Sequence, residues 1–210
     1  MLKLILISLI FITLSCSKDD KAINSLDENL YIDNNLDDKE LFEKANKYIQ
    51  NNQYDSALIE LDKLEVLFPN SDFNKKGMLT SAYIYFLKKE YEKTRAISEN
   101  YKKYYPGSQD IAYANYLEAM TYYILIKKTN FSQQNATIAL EKFNFILNAY
   151  PNSNYEIDII TKIQVIQNIL AGHKLVTAKF YVSKKNREAS LIYFKEIFDN
   201  HKDSIHIAET

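Results

Sequence analysis

The sequence predicts an all-α chain of antiparallel helix pairs, four pairs and the start of a fifth, and three observations carry that reading. Gly and Pro are scarce, three of each in 210 residues, so tight hairpins are few and long helices run unbroken. The prolines sit in a recurring mark: Phe68-Pro69-Asn70-Ser71, Tyr105-Pro106-Gly107-Ser108 and Tyr150-Pro151-Asn152-Ser153, with His201-Lys202-Asp203-Ser204 as a degenerate fourth. Twelve positions before the second residue of each mark stand Ala57, Thr94, Ala139 and Ser190, and eight before stand Leu61, Ser98, Phe143 and Phe194. Such self-similarity is the signature of a repeat architecture.

Apolar periodicity places helices at residues 38–51, 54–68, 72–88, 91–104, 109–127, 135–149, 153–183 and 187–200. Asn51-Asn52-Gln53-Tyr54 and Lys88-Lys89-Glu90-Tyr91 are polar turns within the first two pairs. Pro69, Pro106 and Pro151 stop the second, fourth and sixth helices, because proline cannot continue a helix. Ser71, Ser108 and Ser153 then supply N-cap oxygens for the third, fifth and seventh. A polar insertion from Lys127 to Asn135 separates the fifth and sixth helices, and the seventh is unusually long. The small residues let partner helices approach closely, while Ala82 and Ala119, thirteen after Pro69 and Pro106, repeat the device. The marks lie 37, 45 and 51 residues apart, longer than the roughly 34 of a regular tetratricopeptide array. The pairs resemble tetratricopeptide repeats, without the Trp of that consensus.

Ahead of the repeats, Lys3 precedes an apolar run of 11 residues from Leu4 to Leu14. A spanning helix needs about 20, so the run reads as the core of a signal peptide. Leu14-Ser15-Cys16-Ser17 resembles a bacterial lipobox, with the single cysteine, Cys16, as the thiol that takes a diacylglycerol and an N-acyl lipid. The expected organisation is a signal peptide at 1–15, an acidic flexible tether at 16–37 and a repeat domain at 38–210. Between Ser17 and Glu40, eight acidic residues face three lysines with little apolar periodicity, which suits a solvated spacer.

Further marks follow in order: Leu41-Phe42 with Ala45, Ser81-Ala82-Tyr83-Ile84-Tyr85-Phe86, Tyr104-Tyr105-Pro106, and Tyr113 with Tyr116. After Tyr150-Pro151-Asn152-Ser153-Asn154-Tyr155 come Leu170-Ala171-Gly172-His173-Lys174 and Lys179-Phe180-Tyr181. With the lipobox in front, the chain resembles the BamD family of outer-membrane assembly lipoproteins from Cys16 to Glu209, and Leu170–Tyr181 is most similar to its alphaproteobacterial form. The resemblance implies a periplasmic scaffold of the β-barrel assembly machinery, held to the inner leaflet of the outer membrane by lipid on Cys16 and using no other cofactor. Implied partners are the periplasmic domains of the barrel-forming subunit BamA, other Bam lipoproteins and unfolded outer-membrane β-barrel proteins awaiting insertion. The resemblance also implies a fifth helix pair, which the chain enters only at Ala208-Glu209-Thr210, and an Asn-Arg pair on the eighth helix, where Ile192 and Tyr193 stand.

In helix-pair arrays the first helix of each pair lines the concave face. Spacing puts there Phe42, Asn46 and Ile49, then Tyr83, Phe86 and Leu87, then Tyr113, Tyr116, Met120 and Tyr123. Aromatic rings with hydroxyl rims suit an extended or β-prone peptide, here the C-terminal aromatic signal of nascent barrel proteins; the alternative is that these rings are core. Seven Lys or Arg against two Glu from Lys162 to Glu196 form a basic surface. Lys174, Lys179, Lys184, Lys185 and Arg187 are its partner-binding candidates, with a solvated helix face as the alternative.

Gly77, Gly107 and Gly172 are too far apart for a phosphate-cradling loop, and one cysteine makes no multi-thiolate metal site. His173, His201 and His206 have no metal-ligand spacing, so neither a metal nor an enzyme activity is expected. A formal net charge of −1 gives no reason to expect nucleic acid. A different periplasmic repeat lipoprotein, one coordinating cell-wall synthesis with envelope constriction, is the second functional reading.

Overall fold

A computed structural model describes residues 37–128 and 131–210. The expected signal peptide, Cys16 and the tether up to residue 36 lie outside the described residues. Among the described residues there are eight α-helices and a closing 3₁₀ turn: α1 (Asp38–Gln50), α2 (Tyr54–Leu67), α3 (Asp72–Leu87), α4 (Tyr91–Tyr104), α5 (Ile111–Tyr123), α6 (Gln134–Ala149), α7 (Glu156–Ser183), α8 (Arg187–Asn200) and Ile207–Glu209. The helices pack as successive pairs, α1–α2, α3–α4, α5–α6 and α7–α8, with each pair against the next. First helices of neighbouring pairs also touch, α1 on α3 and α3 on α5. The all-helical, tetratricopeptide-like repeat fold is therefore present.

Small residues sit where the helices approach. Ala45, Ala57, Ala82, Thr94, Ala119 and Ala139 are fully buried, and Ser190 is buried at the equivalent point of α8. With no bulk at these points, the neighbouring ridges seat between helices, as dense interior packing requires. One apolar cluster joins α5, α6 and α7 through Ala119, Ala139, Phe143, Ile146, Ile159 and Ile166.

Three of the four turns within pairs, all but α5–α6, share one geometry. Gln53 N–H donates to Tyr48 O (2.9 Å), Glu90 N–H to Tyr85 O (2.9 Å) and Asn186 N–H to Tyr181 O (3.0 Å). Before each donor, Asn52, Lys89 and Lys185 take φ of 57°, 63° and 57°. This is the left-handed helix stop that glycine usually fills. The chain uses Asn and Lys instead, which is how a helical array exists here with three glycines.

Three sequence expectations change. The fifth helix ends at Tyr123 rather than 127, tightening into short bonds from Leu125 N–H to Tyr122 O and Ile126 N–H to Tyr123 O (both 3.1 Å). Side-chain amides then close the insertion: Gln133 Nε2 donates to the carbonyls of Lys128 (2.9 Å) and Phe131 (2.8 Å), and Asn135 Nδ2 to Leu125 O (3.1 Å). The fifth and seventh helices also begin later than expected, at Ile111 and Glu156. The reason lies in the third correction, which concerns the caps. Ser71 Oγ accepts from Phe73 N–H (2.9 Å) and Asn74 N–H (3.2 Å) as expected. Ser108 Oγ accepts from Asp110 N–H (3.2 Å), ahead of the helix that begins at Ile111, and also shares a bond with the Tyr101 hydroxyl (2.7 Å), while Ser153 Oγ is buried with no hydrogen-bond partner. At α7, Glu156 reaches back to accept from Asn152 N–H (2.9 Å).

Because Lys89 is exposed and holds a conformation that disfavours a Cβ, Lys89→Gly should raise unfolding stability by about 1 kcal/mol. Urea denaturation of the two proteins measures the shift; a loss of stability would show that this turn is not strained.

Candidate functional site

Helix α5 organises the site. Its sequence, IAYANYLEAMTYY, contains one charged residue, Glu118. One side of the helix must accommodate that charge, and another presents tyrosines.

Glu118 is 3% exposed. Lys102 of α4 donates to its Oε2 (2.5 Å) and Lys142 of α6 to its Oε1 (2.5 Å). Burial pushes the carboxyl up, but the two ammonium groups outweigh it and hold Glu118 below its ordinary 4.5. One carboxylate thus ties three helices together. Nearby, Arg95 donates to Thr121 Oγ1 (3.1 Å), and Arg95 and Lys142 both lie against the Tyr122 ring, at 4.8 and 5.6 Å. Glu60 plays a similar part between α1 and α2, held by Lys44 (3.0 Å) and Lys63 (3.3 Å).

The tyrosine side of α5 meets the start of α7. Tyr155 stacks on Tyr116 (4.6 Å between centroids) and Tyr113 (5.5 Å). The Tyr116 hydroxyl donates to Asp158 Oδ2 (2.6 Å), Lys162 pairs with Asp158 Oδ1 (2.5 Å), and the same ammonium lies 5.4 Å from the Tyr123 ring. Burial, then the Tyr155 and Tyr83 hydroxyls beside Tyr113 and the hydrogen-bonded Asp158 carboxylate beside Tyr116, pushes both hydroxyls well above their ordinary range, so both stay protonated. Partial burial raises Asp158, but Lys162 and the Tyr116 hydroxyl bring it below its usual value.

The expected groove residues therefore divide. Phe42 packs on Phe73 (5.7 Å), Phe86 on Tyr91 (5.8 Å), and Tyr123 edge-on to Phe143 (6.0 Å). These three rings act mainly in packing, as does Met120, while Asn46 and Ile49 are half-buried. Tyr83 is 38% exposed and Leu87 36%, and Tyr113 and Tyr116 show part of their rings. An open apolar surface with tyrosine hydroxyls survives on α3 and α5. The sequence does not single out Tyr155 and Asp158 as site residues, and it places Lys162 only in the basic surface. The Asp158–Lys162 spacing of one helical turn was the available signal for two of them.

The basic candidates divide between the α7–α8 seam, the exposed side of α7 and the turn that follows it. From Lys174 to Arg187 they extend along about 20 Å of chain. Lys174 ion-pairs with Glu196 across the α7–α8 seam and lies over Tyr193 (5.6 Å). Lys179 is on the exposed surface of α7, and Lys184, Lys185 and Arg187 are at the turn. Ile192 is exposed, and Tyr193 stacks on Tyr181 (5.5 Å). Among the described residues no group of His, Cys, Asp and Glu could hold a metal ion, and no helix is long and apolar enough to cross a membrane.

Successive antiparallel helix pairs define a helical-repeat protein of the tetratricopeptide-like class. The chain belongs to the YfiO family of outer membrane lipoproteins, whose family profile matches residues 34–210. It is similar to the outer membrane protein assembly factor BamD of Rickettsia prowazekii, 32% identical over 157 residues, which are 75% of this chain and 62% of that protein. The BamD proteins of Caulobacter vibrioides and Pasteurella multocida are 24% and 25% identical over 74% and 70% of this chain. The matched part spans 51–62% of the length of these three relatives.

Removing the buried carboxylate leaves two ammonium groups facing each other. Glu118→Gln should destabilise the fold by about 3 kcal/mol at neutral pH. Since folding lowers the Glu118 pKa, its contribution is complete above the ordinary 4.5 and fades as pH falls below it through the folded value. The stability difference between the two proteins, followed by thermal unfolding from pH 7 to 3, should accordingly shrink below pH 4.5; a constant difference would contradict this account.

Proposed function

We propose that the chain is a lipid-anchored periplasmic scaffold of outer-membrane protein assembly. The observation that carries the reading is the family match, which covers residues 34–210 and so takes in all four helix pairs. The relatives' name, outer membrane protein assembly factor, supplies the process. The open surface of Tyr83 and Leu87, with the partly exposed rings of Tyr113 and Tyr116, receives an aromatic, β-prone segment of an unfolded barrel protein. The α7–α8 pair, around Lys174, Lys179, Ile192 and Tyr193, holds the periplasmic domains of BamA, alongside other Bam lipoproteins. The mechanism is binding alone: two partners held on one rigid array meet at a raised effective concentration. No bond is made or broken, and the only covalent addition is lipid on Cys16, which keeps the chain at the periplasmic face of the outer membrane.

Pull-down of the mature chain from detergent-solubilised envelopes should recover BamA as the main partner; recovery of cell-wall synthases without BamA would establish the other periplasmic reading. A photo-crosslinker at residue 83 should form adducts with a C-terminal barrel-signal peptide, and one at residue 59, exposed on α2, should not. Cys16→Ser should abolish metabolic labelling with palmitate, and labelling that persists would remove Cys16 as the anchor.

A further inference from the structure

Antiparallel partners reverse at the same end of every pair. The turns within pairs therefore share one edge of the repeat array, and the proline marks share the opposite edge. These turns are far apart in sequence, and their side chains meet only as a surface. The second turn carries Lys88, Lys89 and Lys93, the third Lys127 and Lys128, and the fourth Lys184, Lys185 and Arg187. Among them lie Asp55, Glu90, Glu92 and Glu188. Asp55 and Glu90 hold Lys88 (2.5 and 3.2 Å) and Glu90 holds Lys93 (2.6 Å), leaving cations in excess. The opposite edge has Asp72, Asp110 and Glu156 at the starts of α3, α5 and α7, interleaved with Lys75, Lys76, Lys102 and Lys103.

Aromatic and aliphatic groups project between the cations. At each of the three turns an ammonium lies against a ring: Lys93 over Tyr85 (4.8 Å), Lys127 over Phe131 (6.0 Å) and Lys184 over Phe180 (5.6 Å). Phe131 and Phe180 are 52% and 54% exposed, and Ile124, Leu125 and Val182 are exposed beside them.

We propose that this edge docks on an anionic phospholipid surface, that of the membrane carrying the acyl anchor. Long cationic side chains paired with projecting rings suit a planar anionic interface. The ammonium stays at headgroup level while the ring enters the apolar boundary. Each cation near such a surface adds attraction, and the charge is spread over three turns. A protein partner would be expected to seat its rings in pockets with fixed polar groups, whereas Phe131 and Phe180 stand outward with lysines over them. The inference rests on the lipid-anchor reading for delivery to a membrane; the residues between Cys16 and Asp37 reach at most about 70 Å. An acyl anchor and a polybasic surface together make the two-signal attachment that holds a protein firmly.

The chain contains no Trp, so single reporters are clean. Phe180→Trp and Phe131→Trp report the edge, and Tyr104→Trp, 64% exposed at the opposite edge, is the control. The full lipidated chain, reconstituted into vesicles containing brominated phosphatidylglycerol, should show quenching at both edge reporters and little at residue 104. Quenching should vanish in pure phosphatidylcholine vesicles or at high salt. Lys184→Gln with Lys185→Gln should weaken docking about 30-fold, lowering the Phe180→Trp signal towards the control. Equal quenching at all three positions, or none at the edge, overturns the proposal. Shielding of Phe180→Trp from iodide by added envelope proteins, with no lipid quenching, overturns it in favour of a protein partner. Intact mass of the same sample reads Cys16 acylation separately, so failure of the anchor and failure of the edge are distinguishable.

Discussion

Close approach of helices at small side chains is the constraint on which the rest of the protein depends. Ala45, Ala57, Ala82, Thr94, Ala119 and Ala139 leave no room for solvent or for a larger group. Each point fixes how near two helix axes come, and hence where the next helix must lie. Enlarging one would force neighbouring side chains off their rotamers, with a penalty of about 1–3 kcal/mol. Because the contacts repeat, their geometry propagates, and the surfaces of distant helices are placed by a series of local contacts.

Within that array α5 carries an unusual burden. A buried carboxylate is expensive unless paired, and pairing seldom recovers more than the desolvation penalty. Glu118 spends its two oxygens on lysines from the helices before and after it, so its value lies in fixing α4, α5 and α6 in register. The tyrosines on the other side of the same helix inherit that rigidity. Tyr113 and Tyr116 stack with Tyr155 from the neighbouring repeat, and the hydroxyl of Tyr116 is aimed at Asp158. Rings held this way offer apolar area with little further loss of side-chain freedom on binding, which favours recognition by preorganisation.

The array separates surfaces that a linear reading runs together. Side chains of α3 and α5 present tyrosine, the α7–α8 seam joins Lys174 to Glu196, and the turns within pairs carry cations and projecting rings. A near-neutral chain of net charge −1 thus gathers an excess of cations at one edge.

Much of the fold was legible beforehand. Helix positions follow from apolar periodicity and from prolines that end helices wherever they occur, and the small residues mark the crossings because nothing else fits there. Two helices, α4 and α8, begin and end where the spacing puts them. Less legible were the ends of α5 and α7, which depend on amides and carboxylates reaching back to backbone groups, as Gln133, Asn135 and Glu156 do. The candidate site was half legible: the sequence identified the rings of α3 and α5, but whether a ring is open or packed depends on its neighbour, and Phe42, Phe86 and Tyr123 found theirs in Phe73, Tyr91 and Phe143. By itself the sequence determined the helices, their pairing and the kinship to a lipoprotein family, since these rest on local stereochemistry and residue pattern. Tertiary structure alone decided that Glu118 is a buried clamp, that Tyr155 completes a stack and that three lysine-bearing turns share an edge, because each needs residues distant in the chain to be brought within a few ångströms or onto one surface.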